Sequence, residues 1–353
     1  MATFDYLVFI GRFEPFHNGH RYVLERALAQ ARKVIVIVGS AGRPRTTKNP
    51  WNAEERAVMI RHSIPTSVEG GADRVLIRAV SDFADNDELW SRAIQDQVKR
   101  ALTEAGDDPA SVRVGLIGHD KDASSYYLRM FPQWKRVEAQ SVAMSLSATH
   151  VRDAFLDRAN EAGNLMLVES AVPPPVFEFL KSFRATPAFA ALAKEYDFLR
   201  AYREGWSSAP YPPTFVTVDA VVAHSGHVLL VRRRSEPGKG LWAWPGGFLR
   251  GSERLLDACL REVREETRLK LPAPVLRGSL KAQRVFDAPD RSLRGRTITH
   301  AFFFEFTTGD LPEVRGKDDA DKAEWIPLTD FFAMRELMFE DHFDIGVHFL
   351  GGV

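Results

Sequence analysis

The chain has 353 residues, with 47 basic and 47 acidic side chains and a single cysteine. With zero formal net charge no electrostatic footprint for nucleic acid appears, and no nucleic-acid partner is expected. One cysteine excludes a disulfide framework and fits a reducing compartment. The length calls for two domains, each burying a core of its own. The opening residues Met1 to Ile10 lack the charged, long-cored pattern of a secretory signal, and no apolar stretch approaches membrane-spanning length. A cytoplasmic location with no membrane partner is expected.

In chain order, apolar runs at Tyr6 to Ile10, Val34 to Gly39, Val75 to Ala79 and Val112 to Ile117 alternate with helical periodicity. This predicts an α/β domain over residues 1–168 with a doubly wound parallel sheet. Directly after the first run comes Gly11-Arg12-Phe13-Glu14-Pro15-Phe16-His17-Asn18-Gly19-His20, then a helix carrying Val23, Leu24, Ala27 and Leu28. Ligands of doubly wound sheets sit at such strand ends. Gly11 and Gly19 let backbone approach a phosphate chain, and the helix N-terminus offers unpaired N–H groups to it. His17 and His20, three apart on one turn, are suited to donate to phosphoryl oxygens as charge develops; the plain alternative is a pair of satisfied loop histidines. Gly39-Ser40-Ala41 ends the second strand, Arg43, Arg45 and Lys48 follow, and Asn52 with Glu55 reads as a capping box. Trp90 opens an amphipathic helix through Ile94 and Val98, which is a core position by spacing.

The decapeptide from Gly11 to His20 resembles the His-x-Gly-His nucleotidyltransferases, and in its extended form the archaeal-type nicotinamide mononucleotide adenylyltransferases. Leu146-Ser147-Ala148-Thr149-His150-Val151-Arg152 is similar to the second motif of that superfamily. The resemblance implies a Rossmann-like domain that transfers the adenylyl group of ATP to nicotinamide mononucleotide. It makes Gly11, Arg12, Phe13 and Gly19 the nucleotide loop, with Lys48 and Arg152 as further phosphate contacts and Ser147 or Thr149 as helix cap. His17, His20 and Arg152 become the catalytic set, with Mg²⁺ or Mn²⁺ on the triphosphate. Trp90 would stack on the pyridine ring, with Asp82 and Asn86 near the carboxamide, and core packing stays an equal alternative for the tryptophan. The loop Gly118-His119-Asp120-Lys121-Asp122 would face adenine. Arg43 and Arg45 stay open between phosphate contact and a solvated loop.

Residues 169–213 read as a helical connector, opened by Pro173-Pro174-Pro175 and closed by Pro210-Tyr211-Pro212-Pro213. Over 214–353 the pattern becomes β-rich, with Phe215 to Ala223, Val228 to Arg232 and His300 to Phe306 as strands, predicting a mixed α+β sheet clasped by helices. Between them Gly246-Gly247 is followed by Glu253 and then by Arg261-Glu262-Val263-Arg264-Glu265-Glu266. Glu262, Glu265 and Glu266 stack on one helix face, an arrangement of like charges that suits a hard divalent cation and offers nothing to zinc or copper. Arg261, four residues before Glu265, is placed to orient that carboxylate. Cys259 lies in an apolar run and reads as core.

This frame resembles the Nudix box. The resemblance implies pyrophosphate-bond hydrolysis with Glu262, Glu265 and Glu266 as ligands of Mg²⁺ or Mn²⁺. Glu262 and Glu266 would be catalytic carboxylates, with Glu262 or a loop acid from Asp318-Asp319 as candidate base. The departure is Arg268, where the family expects glycine. The stretch Phe286 to Arg296 looks like the substrate loop of ADP-ribose hydrolases, so Arg291, Arg294 and Arg296 are phosphate contacts or exposed charges. Together the two resemblances match bacterial bifunctional adenylyltransferase/Nudix proteins, with ATP, nicotinamide mononucleotide and ADP-ribose as small-molecule partners. The alternatives are another nucleoside diphosphate derivative, or a second domain that senses ADP-ribose without cleaving it. The sequence neither requires nor excludes a homo-oligomer.

Overall fold

The computed structural model describes residues 3–66, 68–83, 86–118, 123–139, 147–307 and 309–351, which form two compact units, Met1–Lys194 and Glu195–Val353. In the first, β1 (Phe4–Gly11), β2 (Ala31–Ala41), β3 (Val75–Ser81), β4 (Val114–Gly118) and β5 (Lys135–Glu138) run in the order β3-β2-β1-β4-β5, every pair parallel. Strands covered on both faces need continuous apolar runs. Tyr6 to Ile10 and Val34 to Val38 supply them and are buried throughout. β5, with Val137 as its one apolar residue, is an edge strand that no hydrophobic pattern announces.

Helices α1 (Asn18–Gln30), α2 (Ala53–His62), α3 (Asp87–Glu104), α4 (Ala148–Leu156), α5 (Glu161–Ala171) and α6 (Pro174–Arg184) belong to this unit. α3 buries Ile94, Val98, Ala101 and Leu102, the stripe its helical spacing predicts, against Tyr6, Val8 and Ile35. The prolines that open the expected connector sit at the first turn of α6, where a missing N–H is harmless. α6 sets Phe183 against Trp51 and Phe155. α7 (Pro187–Glu204) crosses the boundary between the units, so the expected connector over 169–213 is divided between them rather than standing apart. Strand order reverses at β1 and β4, and in such sheets ligands bind beyond the carboxyl ends of those strands.

The second unit holds β6 (Phe215–His224), β7 (His227–Arg233), β8 (Trp242–Ala243), β9 (Gly246–Phe248), β10 (Leu280–Phe286), β11 (Thr297–Phe306) and β12 (Ala320–Pro327). The order is β10-β11-β6-β7-β12, with β8 on β7 and β9 on β6; β11 and β6 are parallel and the remaining pairs antiparallel. This is the expected mixed sheet. α8 (Leu255–Thr267) presses Ala258, Cys259, Leu260 and Val263 onto Val218 and Val222 of β6 and Phe304 of β11. Cys259 is fully buried. α9 (Ala273–Gly278), α10 (Leu328–Phe331) and α11 (His342–Leu350) complete the unit, the last two packing Phe331, Phe343 and Ile345 around Trp244. Among the described residues no helix is long and apolar enough to cross a membrane.

Candidate active sites

At the end of β1, Phe13 folds back over Gly11, where a Cβ would meet its ring at 2.9 Å. His17 is the N-cap of α1. Its Nδ1 accepts the Gly19 N–H at 3.1 Å, and His20 Nδ1 accepts the His17 N–H at 3.3 Å, so the two histidines form the capping box of their own helix. With both Nδ1 atoms accepting, each neutral ring carries its proton on Nε2. The rings stack with centroids 3.7 Å apart, and Phe13 meets His20 edge-on at 4.9 Å. The pair is one stacked block at a helix N-terminus, with Nε2 as the donor nitrogen of each ring, an arrangement suited to oxygens that gain charge.

Arg152 is buried on α4. It donates from Nη1 to the Glu14 carbonyl at 2.7 Å and from Nη2 to Thr149 Oγ1 at 3.1 Å. Burial, and then the charge of Arg12, lower its pKa to about 10, so it stays cationic at neutral pH. The exposed Arg12 and the buried Arg152 therefore put two positive charges at the motif loop, and a bound polyphosphate would relieve their repulsion. Ser147 caps α4 by accepting from Thr149 N–H. Lys48 lies half-buried between β2 and α2.

Other expected residues have structural occupations. Arg45 is bidentate to Glu55 at 2.6 and 2.8 Å and reaches the Pro50 carbonyl, while Arg43 pairs with Asp82 at 3.4 Å. Asn52 and Glu55 make the expected capping box of α2. Gly118 closes β4 where a Cβ would lie 2.6 Å from Leu128, so close packing accounts for this glycine. Trp90 packs on Phe131 and Tyr127 at the core edge, half-buried, and Asn86 caps α3. His119, Asp120, Lys121, Asp122 and Leu146 lie outside the described residues. Sequence reasoning passes over Arg56, which is 1% exposed beneath the motif loop. No local pattern marks it, because its partners come from segments far along the chain.

In the second unit, α8 ends on Arg268 at φ +52°, the left-handed cap that the family fills with glycine. Arg261 is bidentate to Glu253 at 2.6 and 2.9 Å, and its Nη1 also bridges Glu262 at 2.7 Å and Glu265 at 2.9 Å. Arg261 thus pairs with the carboxylates of Glu253, Glu262 and Glu265 together. Glu266 is 8% exposed and accepts the Gly246 N–H at 3.0 Å. Burial, opposed by that hydrogen bond and assisted by Glu262, raises its pKa to about 8; burial raises that of Glu262 as well. Among the described residues the acidic side chains do not close into a ready cage of three or more metal-binding groups. The donor set nevertheless fits a hard divalent cation. Its members are carboxylate oxygens, two of them penalised by desolvation, and Gly247 gives them room, since a Cβ there would lie 2.5 Å from Glu262 Oε1.

The loop before β12 donates backbone N–H groups from Arg315 to the Thr267 carbonyl and from Lys317 to that of Glu266. This brings Asp319 to the pocket that Glu266 lines, while Asp318 pairs outside with Lys317 at 3.9 Å. The same pocket holds Asp219, Arg233, Arg291 and Arg294. Arg291, named from the sequence, is bidentate to Asp341 at 2.8 and 2.6 Å; Arg294 lies over Phe248 at 5.0 Å. Arg296 does not line this pocket and donates to the Asp287 carbonyl. No motif points to Arg233 or to the buried group Asp219, Thr299 and His342. There Thr299 Oγ1 donates to Asp219 at 2.5 Å, and His342 Nδ1 accepts the Trp244 N–H at 3.0 Å. Burial lowers the His342 pKa to about 3 and raises that of Asp219.

A parallel-sheet unit with a histidine block at its nucleotide end, joined to a mixed-sheet unit with a glutamate helix, defines a two-domain enzyme of nucleotide phosphoanhydride chemistry. Comparison with known proteins agrees at both ends. Residues 8–154 match the cytidylyltransferase-like family model and residues 213–346 the NUDIX domain model. A nicotinamide/nicotinic acid mononucleotide adenylyltransferase of Acinetobacter baylyi is 40% identical over 196 residues, which span 56% of this chain and 95% of that protein. An ADP-ribose pyrophosphatase of Methanocaldococcus jannaschii is 35% identical over 114 residues, 32% of this chain and 62% of that one. Over nearly the whole length, a crystal structure from Francisella tularensis superposes with a TM-score of 0.89 at 33% identity, covering 98% of each chain. That protein is a bifunctional NMN adenylyltransferase/ADP ribose pyrophosphatase, solved with AMP and a manganese ion. The chain belongs to this family of bifunctional NMN adenylyltransferase/ADP-ribose pyrophosphatases.

Proposed function

We propose that the chain is a bifunctional enzyme of NAD metabolism. The first unit joins nicotinamide mononucleotide to the adenylyl group of ATP, giving NAD and pyrophosphate. The second hydrolyses ADP-ribose to AMP and ribose 5-phosphate. The observation that carries this reading is that both constellations, the stacked histidines and the glutamate helix, occur in one chain that matches a two-function relative end to end.

In the first unit the mononucleotide phosphate attacks the α-phosphorus of ATP and pyrophosphate leaves. Such transfers depend on positioning and charge neutralisation more than on covalent chemistry. Nε2–H of His17 and of His20 donates to the oxygens that gain charge, and Arg12, Lys48 and Arg152 hold the triphosphate. Gly11, Phe13 and Gly19 shape the loop, and Ser147 and Thr149 hold the start of α4. Trp90 and Gly118 bound the acceptor and adenine sides.

In the second unit Glu262, Glu265 and Glu266 hold Mg²⁺ or Mn²⁺. Such a cation supplies Lewis acidity and lowers the pKa of water when bound. Arg261 keeps Glu262 and Glu265 oriented, and Gly246 N–H fixes Glu266. Glu266 or its neighbour Asp319 takes the proton of the attacking water. Arg291 and Arg294 face the diphosphate; Arg296, paired with the Asp287 backbone, contributes charge from outside the pocket. The test is direct. Purified protein with Mg²⁺ or Mn²⁺ is expected to form NAD from nicotinamide mononucleotide and ATP, and to release AMP from ADP-ribose. Absence of either product in a folded preparation contradicts that half of the reading.

A further inference from the structure

Beneath the first site lies a buried arginine that pairs with the Glu14 side chain and grips the backbone of both adjoining strand ends. Arg56 on α2 is 1% exposed. Its Nη1 donates to the carbonyls of Arg12 at 2.6 Å and Gly39 at 2.7 Å, its Nη2 to that of Ser40 at 3.3 Å, and its Nε to that of Asn52 at 3.2 Å. Nε also lies 3.2 Å from Glu14 Oε1, an ion pair in which both side chains are 1% exposed. The other carboxylate oxygen of Glu14 accepts the Trp51 N–H, and the Glu14 carbonyl accepts from Arg152.

Two of these carbonyls directly precede residues in the left-handed region. Arg12 precedes Phe13 at φ +56°, and Gly39 precedes Ser40 at φ +50°. Non-glycine residues hold that conformation only where the surroundings over-determine it, and such strain gathers at functional sites. At Ser40 the β2 strand also slips in register against β3, between Val38 and Ala41. A planar fork of five donors matches several carbonyls at fixed angles, which an ammonium cannot do.

We propose that Arg56, paired with Glu14, is a positioning residue for adenylyl transfer. It ties the ends of β1 and β2 together and holds the Phe13 turn, and so sets where His20 and Arg12 point. The inference rests on the transfer reading of the first unit. Because Arg12 and Arg152 keep their charges without Arg56, nucleotide binding should persist while alignment in the transition state is lost.

The test uses the full chain and both assays. Arg56→Lys is expected to lower kcat of NAD formation about 100-fold with KM for ATP within about threefold of the parent. ADP-ribose hydrolysis by the other unit should not change, and folding of the first unit is read from its thermal midpoint against the parent. Glu14→Gln, which keeps shape and hydrogen-bonding capacity, is expected to lose about tenfold in kcat, again with KM held. A kcat within threefold of the parent in folded Arg56→Lys overturns the inference. So does a rise in KM that accounts for the whole loss, because that is a binding contact and not alignment. Should Arg56→Lys fail to fold, Glu14→Gln decides: an unchanged kcat overturns, a tenfold fall at constant KM supports. A parent that forms no NAD removes the underlying transfer reading instead.

Discussion

The two sites treat the same kind of bond with opposite charge. At the end of β1 the protein gathers cations and neutral donors: Arg12, Arg152 and two histidines whose Nδ1 atoms are spent on backbone N–H groups. Under β9 it gathers carboxylates and removes them from water, until burial pushes Glu266 up to about 8. On the proposed function the first arrangement would act as an anion receptor, with an incoming polyphosphate bringing the opposite charge. The second concentrates carboxyl groups that burial penalises when ionised, and on the proposed function a divalent cation would offset that cost. The difference teaches that one phosphoanhydride can be made by holding its oxygens directly and broken by holding the ion that holds them.

The comparison breaks most visibly if one carboxylate is neutralised. Glu266→Gln keeps the Gly246 contact but removes a ligand and candidate base, and AMP release should fall about 10³-fold, read as kcat on ADP-ribose. A smaller loss is expected at the cradle. In Gly247→Ala a Cβ would crowd Glu262 Oε1 at 2.5 Å, and metal affinity should weaken about 10- to 100-fold, measured by titrating Mn²⁺ against the bound signal.

Acid should separate the units further. His342 is held neutral, its pKa lowered from the usual 6.5 to about 3 by burial. Stability from this group is fully present above pH 6.5 and is lost as pH falls toward 3, since the unfolded chain takes up the proton first. The upper limit is about 4–5 kcal/mol. Thermal midpoints of the second unit between pH 7 and 4 check this, and His342→Gln should flatten the acid limb. The smallest effect is at the helix end. Arg268 sits at φ +52°, so Arg268→Gly should stabilise the second unit by about 1 kcal/mol without altering hydrolysis, read from denaturant midpoints.

Much of this was legible along the chain because it is local. Parallel strands announce themselves as apolar runs, and both motif segments carry their chemistry within about twenty residues. The helix order of Glu262, Glu265 and Glu266, the capping box at Asn52 and the burial of Cys259 follow from spacing alone. What escaped depends on distance in sequence. β5 and β10 lack apolar periodicity, the former being Lys-Arg-Val-Glu and the latter mostly exposed. Arg56 meets Arg12 across 44 positions, and Trp244 meets His342 across 98, so no window reveals either. Arg296 illustrates the reverse error. Three arginines in one loop look alike in sequence, but only the fold turns Arg291 and Arg294 into the pocket and leaves Arg296 on the Asp287 backbone.

The central claim is that two independent sites share one chain, and paired kinetics on two variants test it most directly. Glu266→Gln should lower AMP release from ADP-ribose about 10³-fold and leave NAD formation at the parent rate. His20→Ala should lower NAD formation about 10²- to 10³-fold and leave hydrolysis intact. Loss of both activities in either properly folded variant would contradict the account.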